Sequence, residues 1–87
     1  MTITFPRIQS LDVDRMVVAF PADQGATRII CRISWEALQD NFRGVDIDPL
    51  QCFIANRGAI EAKAENLIAT ARLEPDGSVL IRTSDGP

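Results

Sequence analysis

The 87-residue chain contains no histidine and no tyrosine, and only one tryptophan, one lysine (Lys63) and two cysteines. Without His the commonest general acid–base group is missing, and without Tyr a frequent second choice is gone as well. A zinc site takes about four ligands, usually Cys or His in close pairs, and Cys31 and Cys52 without a CxxC spacing do not supply them. No metal and no cofactor is expected. The five glycines stand alone, so the chain has neither a GxxxxGK[ST] phosphate loop nor a GxGxxG fingerprint. No apolar run approaches the ~18 residues of a membrane-spanning helix. The opening Met-Thr-Ile-Thr-Phe-Pro has no basic start followed by an apolar stretch, which leaves a secretory signal unexpected and the cytoplasm as the expected compartment.

What is present is the composition of an ordinary globular protein, 46% hydrophobic and 24% charged. A chain this short makes one domain, with its core over about residues 3–83 and a loose tail at 84–87. It hides only somewhat over 60% of the surface of its unfolded form, roughly, so self-association is a natural way to add burial. The net charge is −3, and the Arg residues are scattered without a run. Non-specific nucleic-acid binding draws on clustered Lys and Arg, so a nucleic-acid partner is not expected. The two cysteines read as small buried apolar residues, a disulfide between them being disfavoured in a reducing compartment.

Ile3-Thr4-Phe5 alternates and is stopped by Pro6, which suits a short edge strand. Residues 7–14 read as a loop. Arg15 to Phe20 is β-branched and aromatic enough for a strand, Pro21 to Ala26 carries turn chemistry, and Thr27 to Ile33 is a second strand, so the pair forms a hairpin. Ile29, Cys31 and Ile33 point one way, and Arg28, Ile30 and Arg32 the other. Ser34 then caps a helix of about two turns starting near Trp35, with Trp35, Leu38 and Phe42 on one face and Gly44 beyond its end.

Asp48-Pro49 opens the strongest periodic element. Leu50, Phe53, Ile54, Ile60, Ala64, Leu67, Ile68 and Ala71 recur every three or four residues to about Arg72, which predicts a single helix near 35 Å long at ~1.5 Å per residue. Glu74-Pro75-Asp76-Gly77 ends it, and Ser78 to Thr83 is a final strand with Leu80 and Arg82 on one side. The expected fold is therefore α+β, a small antiparallel sheet of hairpin, final strand and N-terminal strand, with helices packed on one face.

Against this plan Arg57 is anomalous, because it projects near the centre of the apolar stripe of the long helix. In one reading its stem covers apolar surface and its guanidinium pairs with Glu61, Asp40 or Glu36. In the other its planar fork is free for a carboxylate or phosphate at the helix junction, which makes the chain a small-molecule or anion binder. Gly58 beside it costs roughly 1 kcal/mol in a helix interior, a cost explained by a close backbone approach or a kink. Trp35 reads as core or as a binding platform, and its indole N–H wants a partner if buried. Glu61 and Glu65, one turn apart, read as a solvated flank rather than a catalytic pair.

The ordered set Phe20, Ile30-Cys31-Arg32-Ile33-Ser34, Glu36-Ala37-Leu38, Asp40-Asn41-Phe42, Phe53, Asn56-Arg57, Ile60-Glu61 and Ala64 resembles bacterial domain-of-unknown-function family 1488 from about residue 3 to 83. The resemblance implies a compact α+β domain and no assigned activity. It also implies that Asn56, Arg57 and Glu61 belong to the family pattern, which makes them, with Trp35, the candidate binding residues; no catalytic residue follows from it. The expectation is a non-enzymatic module that meets a protein partner or a second copy through the uncovered sheet face or an edge strand.

Overall fold

In the computed structural model, which describes residues 2–87, the chain forms a five-stranded sheet with three helices on one face. Strands β1 (Ile3–Thr4) and β2 (Ser10–Asp12) both run along one edge of β3 (Val17–Gln24), antiparallel to it, and β4 (Thr27–Ser34) pairs along the other. The hairpin closes through Gly25 and Ala26, with Gly25 at φ +61°, a conformation that glycine adopts without a Cβ clash.

Strand β3 runs four residues beyond Phe20, through Pro21 to Gln24. Pairing alternates outward from Gln24↔Thr27, so Pro21 opposite Ile30 falls on a position that needs no N–H toward β4. Its other side faces the gap between β1 and β2, where the edge ladder is interrupted. A proline is thus accommodated inside a strand where turn chemistry is the simpler expectation.

Helices α1 (Trp35–Asn41), α2 (Pro49–Ala55) and α3 (Arg57–Ala69) follow. Ser34 caps α1 as expected, its side-chain oxygen accepting the Ala37 N–H at 3.0 Å. The long helix expected from Pro49 to Arg72 is instead two, broken at Asn56, which has φ −117° and ψ 18°. Its side-chain amide bends back to donate to the Cys52 carbonyl at 2.9 Å and the Phe42 carbonyl at 3.5 Å, competing locally with the helical pattern. Gly58 therefore sits in the first turn of α3, not in mid-helix, and among the described residues nothing beyond its chain neighbours and its own helical backbone comes within 4 Å of the position of its absent Cβ. A close approach does not explain this glycine; the break only moves it out of mid-helix, where its cost is greatest.

Gly44 has the opposite character. Arg43, at φ +56°, takes the left-handed conformation after α1. Gly44 is needed for space: a Cβ there would lie 2.9 Å from both Cys52 Sγ and the Leu38 carbonyl oxygen.

Strand β5 (Val79–Ile81) lies beside β4 and parallel to it, so the sheet is mixed rather than antiparallel throughout. The helices form the crossover that returns the chain to the same end of the sheet, which is the connection a parallel neighbour requires. Thr83–Asp85 makes a 3-10 turn where a loose tail is expected. Its Thr83 and Asp85 carbonyls accept from Asn41 Nδ2 at 3.0 Å and Lys63 Nζ at 2.9 Å.

The core lies between sheet and helices. Val18, Phe20, Ala22, Cys31, Ile33, Val79 and Ile81 from the sheet meet Leu38, Cys52, Phe53, Ile60, Ala64 and Leu67, all buried. Phe20 and Phe53 touch with ring centroids 5.0 Å apart. Burial pushes the Cys31 thiol up to about 12 and raises that of Cys52, and both cysteines are free. Among the described residues no helix is long and apolar enough to cross a membrane, and no group of three or more His, Cys, Asp or Glu is placed to hold a metal.

Candidate interaction face

Three of the four residues singled out in the sequence meet at the α2–α3 junction. Arg57, 10% exposed along its side chain, donates from Nη1 to Glu61 Oε2 at 3.3 Å. Its Nη2 donates to Gln9 Oε1 from the β1–β2 connection. The guanidinium stands 4.9 Å from the centre of the buried Phe53 ring. Asn56 is spent on the kink. Glu36, an alternative partner for Arg57 by sequence, instead accepts from Thr83 Oγ1 at 3.0 Å. The fourth residue, Trp35, stands apart at the start of α1 beside Arg15, Met16 and Gln39. Its indole N–H is buried with no hydrogen-bond partner among the described residues.

The sheet has a second face, turned away from the helices. Strand alternation places Val17, Ala19, Pro21 and Asp23 of β3 there, with Arg28, Ile30 and Arg32 of β4 and Leu80 of β5. Val17 and Pro21 are buried even on this side, while Ile30 is 41% exposed. A hollow of about 470 Å³ opens at one end, its floor made by Val17, Leu80 and Pro75 and its walls by Arg15, Arg32, Glu74, Asp76 and Ser78. A further hollow of about 350 Å³ adjoins it, sharing Arg32, Asp76 and Ser78 and reaching Arg28 and Ile30.

Charges on this face are balanced. Arg15, Arg28, Arg32 and Arg82 are matched by Asp12, Asp23, Glu74 and Asp76. Arg15 pairs with Asp12 at 3.1 Å, Arg28 with Asp23 at 2.7 Å, and Arg82 with Glu74 at 2.9 Å. The side-chain bond from Arg28 holds the Asp23 carboxyl below the usual carboxylate range, and the backbone N–H of Arg15 does the same for Asp12. Asp76 is lowered chiefly by the Ser78 hydroxyl and N–H, at 2.6 and 2.9 Å, with a smaller contribution from the charge of Arg32.

Arg28, Arg32, Arg82, Ile30 and Leu80 follow on this face from strand alternation alone; Arg15, in the turn before β3, does not. Nor do the carboxylates of the face. Asp23 becomes legible only once the two-residue loop sets it opposite Arg28, and Glu74 and Asp76 arrive from a turn distant in sequence.

A family model described as "Protein of unknown function (DUF1488)" matches residues 3–81. A crystal structure of a protein of unknown function from the same family, from Shewanella loihica PV-4, is similar to this chain with a TM-score of 0.80 and 25% identity, covering 93% of this chain and 94% of that one. No curated protein matches.

Proposed function

The chain belongs to the DUF1488 family of proteins of unknown function, and from that premise we propose that it is a non-enzymatic, cytoplasmic, self-associating module whose outer sheet face docks on a second copy of itself. The observation that carries this reading is the charge pattern of the face, with four cations and four anions set around Ile30 and Leu80. A twofold interface brings one patch against itself, so the patch must be self-complementary, and a neutral face of alternating sign around an apolar centre meets that condition.

The extent of the face is in keeping with this. Two strands of eight residues flanked by shorter neighbours span about 19 by 26 Å. That is roughly 500 Å² in projection and more over the side-chain relief, the scale of the ~800 Å² per partner in a standard interface. The same charge balance speaks against a polyanion as the partner, because three of the four arginines are already paired with carboxylates. Two buried free cysteines accord with a reducing compartment.

Anion binding at the α2–α3 junction is the competing reading. It is less favoured because the guanidinium of Arg57 is shared among Glu61, Gln9 and the Phe53 ring.

Sedimentation equilibrium from low to high micromolar protein tests the proposal, with a twofold rise in mass expected for the native chain and its loss expected in Ile30→Glu. A native chain that stays monomeric throughout contradicts it.

A further inference from the structure

Three of the four cations on the outer face are closed by ion pairs within the chain, at Arg15, Arg28 and Arg82. Arg32 is the exception. It stands on β4, an interior strand, beside the apolar floor of both hollows, and among the described residues it makes no ion pair and no side-chain hydrogen bond. Asp76 is the matching exception among the anions. Among the described residues its carboxylate accepts from Ser78 alone and has no cation within ion-pair distance. One positive and one negative group are therefore left over, and both line the same two hollows.

We propose that Arg32 and Asp76 are the reciprocal ion pair of the homodimer, Arg32 of each copy meeting Asp76 of the other across the twofold axis. This rests on the sheet-face reading above and adds to it the register in which the copies meet.

Closing two apolar faces removes water from Arg32, and an unpaired guanidinium in a desolvated apolar contact is strongly unfavourable, so the face closes only where a carboxylate comes to it. In a twofold interface any such contact occurs twice, and a cation and an anion that are neighbours on one copy become each other's partners on two copies when the axis passes between them. The Asx-type turn at Asp76–Ser78 holds the carboxylate in place beforehand, with Ser78 N and Oγ both donating to Asp76 Oδ1 and leaving Oδ2 for an incoming guanidinium. Arginine suits this position because its fork spans a carboxylate and its plane lies flat on apolar surface, which lysine does not do equally well.

A crossed charge reversal provides the test. Arg32→Glu alone and Asp76→Arg alone each place like charges at both symmetry-related contacts, so each variant is expected to associate on the order of 100-fold more weakly than the native chain, about tenfold for each contact. Mixing the two variants restores opposite charges at both contacts, and native mass spectrometry is expected to show a one-to-one heterodimer. Because Asp76 shapes its turn, the neutral pair Arg32→Gln and Asp76→Asn is measured beside them; Asn keeps an acceptor for Ser78, and each is expected to weaken the dimer with little change in melting temperature. A native dimer whose affinity is unmoved by Arg32→Glu and Arg32→Gln overturns the pair and leaves the sheet-face dimer standing. A native chain that is monomeric at all concentrations overturns both.

Discussion

The guanidinium of Arg57 stands 4.9 Å from the centre of the Phe53 ring, a cation on a fully buried aromatic at the kink between two helices. A charge in the middle of an apolar stripe thus has three internal partners, the ring on one side and Glu61 and Gln9 at its tip. The Gln9 contact also ties the β1–β2 connection to α3, so Arg57 fastens the N-terminal segment onto the helical layer.

Arg57→Met is accordingly expected to lower stability by about 1–3 kcal/mol, since it removes the cation–π contact and leaves Glu61 and Gln9 without their partner. Urea unfolding followed by Trp35 fluorescence measures this. Unchanged stability would mean that the guanidinium contributes nothing to the fold and would return Arg57 to the role of a ligand group.

Gly44→Ala is expected to cost about 1–3 kcal/mol, because a methyl group 2.9 Å from Cys52 Sγ and the Leu38 carbonyl forces the α1–α2 loop away from α2. Thermal unfolding reads the change, at about 4–8 °C per kcal/mol for a domain of this size.

Gly58→Ala should act in the opposite direction. Among the described residues nothing beyond its chain neighbours and its own helical backbone lies within 4 Å of the new methyl group, and the backbone is helical, so a gain of up to about 1 kcal/mol is expected from the less flexible unfolded chain. The same denaturation experiment compares both glycine variants directly.

The buried Cys31 thiol gives an alkaline signature. Its proton is lost at about 12 in the folded protein against 9.0 for an ordinary thiol. Over that interval the unfolded chain ionises there while the folded chain does not, so the contribution of this group is intact below about 9 and is lost as pH rises toward about 12. The fall in melting temperature over this range should be smaller in Cys31→Ala, compared with its own value at pH 7. At neutral pH a thiol reagent is expected to leave native Cys31 unmodified and to react with it in denaturant.

Local features of this fold are legible in the sequence, and features that need a partner distant along the chain are not. Ser34 capping α1, the Pro49 start of α2 and the alternation of β4 each follow from neighbouring residues. The kink at Asn56 is hidden because the apolar residues on either side of it stay in helical phase, Phe53 and Ile60 lying seven residues apart, or about two turns, so the stripe runs on across the break. The direction of β5 is hidden for a related reason: alternation assigns Val79 and Ile81 to a face but is the same whichever way the strand runs. Strand β2 carries too little apolar character to mark it, since Ser10 and Asp12 lie at a sheet edge and Leu11 remains 39% exposed. At the candidate sites, the sequence offers Glu61 as one of three carboxylate partners for Arg57 and has no signal for Gln9. On the outer face it identifies Arg28, Arg32 and Ile30 but not the carboxylates that balance them.

Docking through the outer face of the sheet is tested residue by residue by amide NMR spectra recorded over a dilution series from high to low micromolar protein. Concentration-dependent shifts are expected to concentrate at Val17, Ile30, Arg32, Asp76 and Leu80. Shifts confined to Asn56, Arg57 and Glu61, or spectra that do not change on dilution, would contradict it.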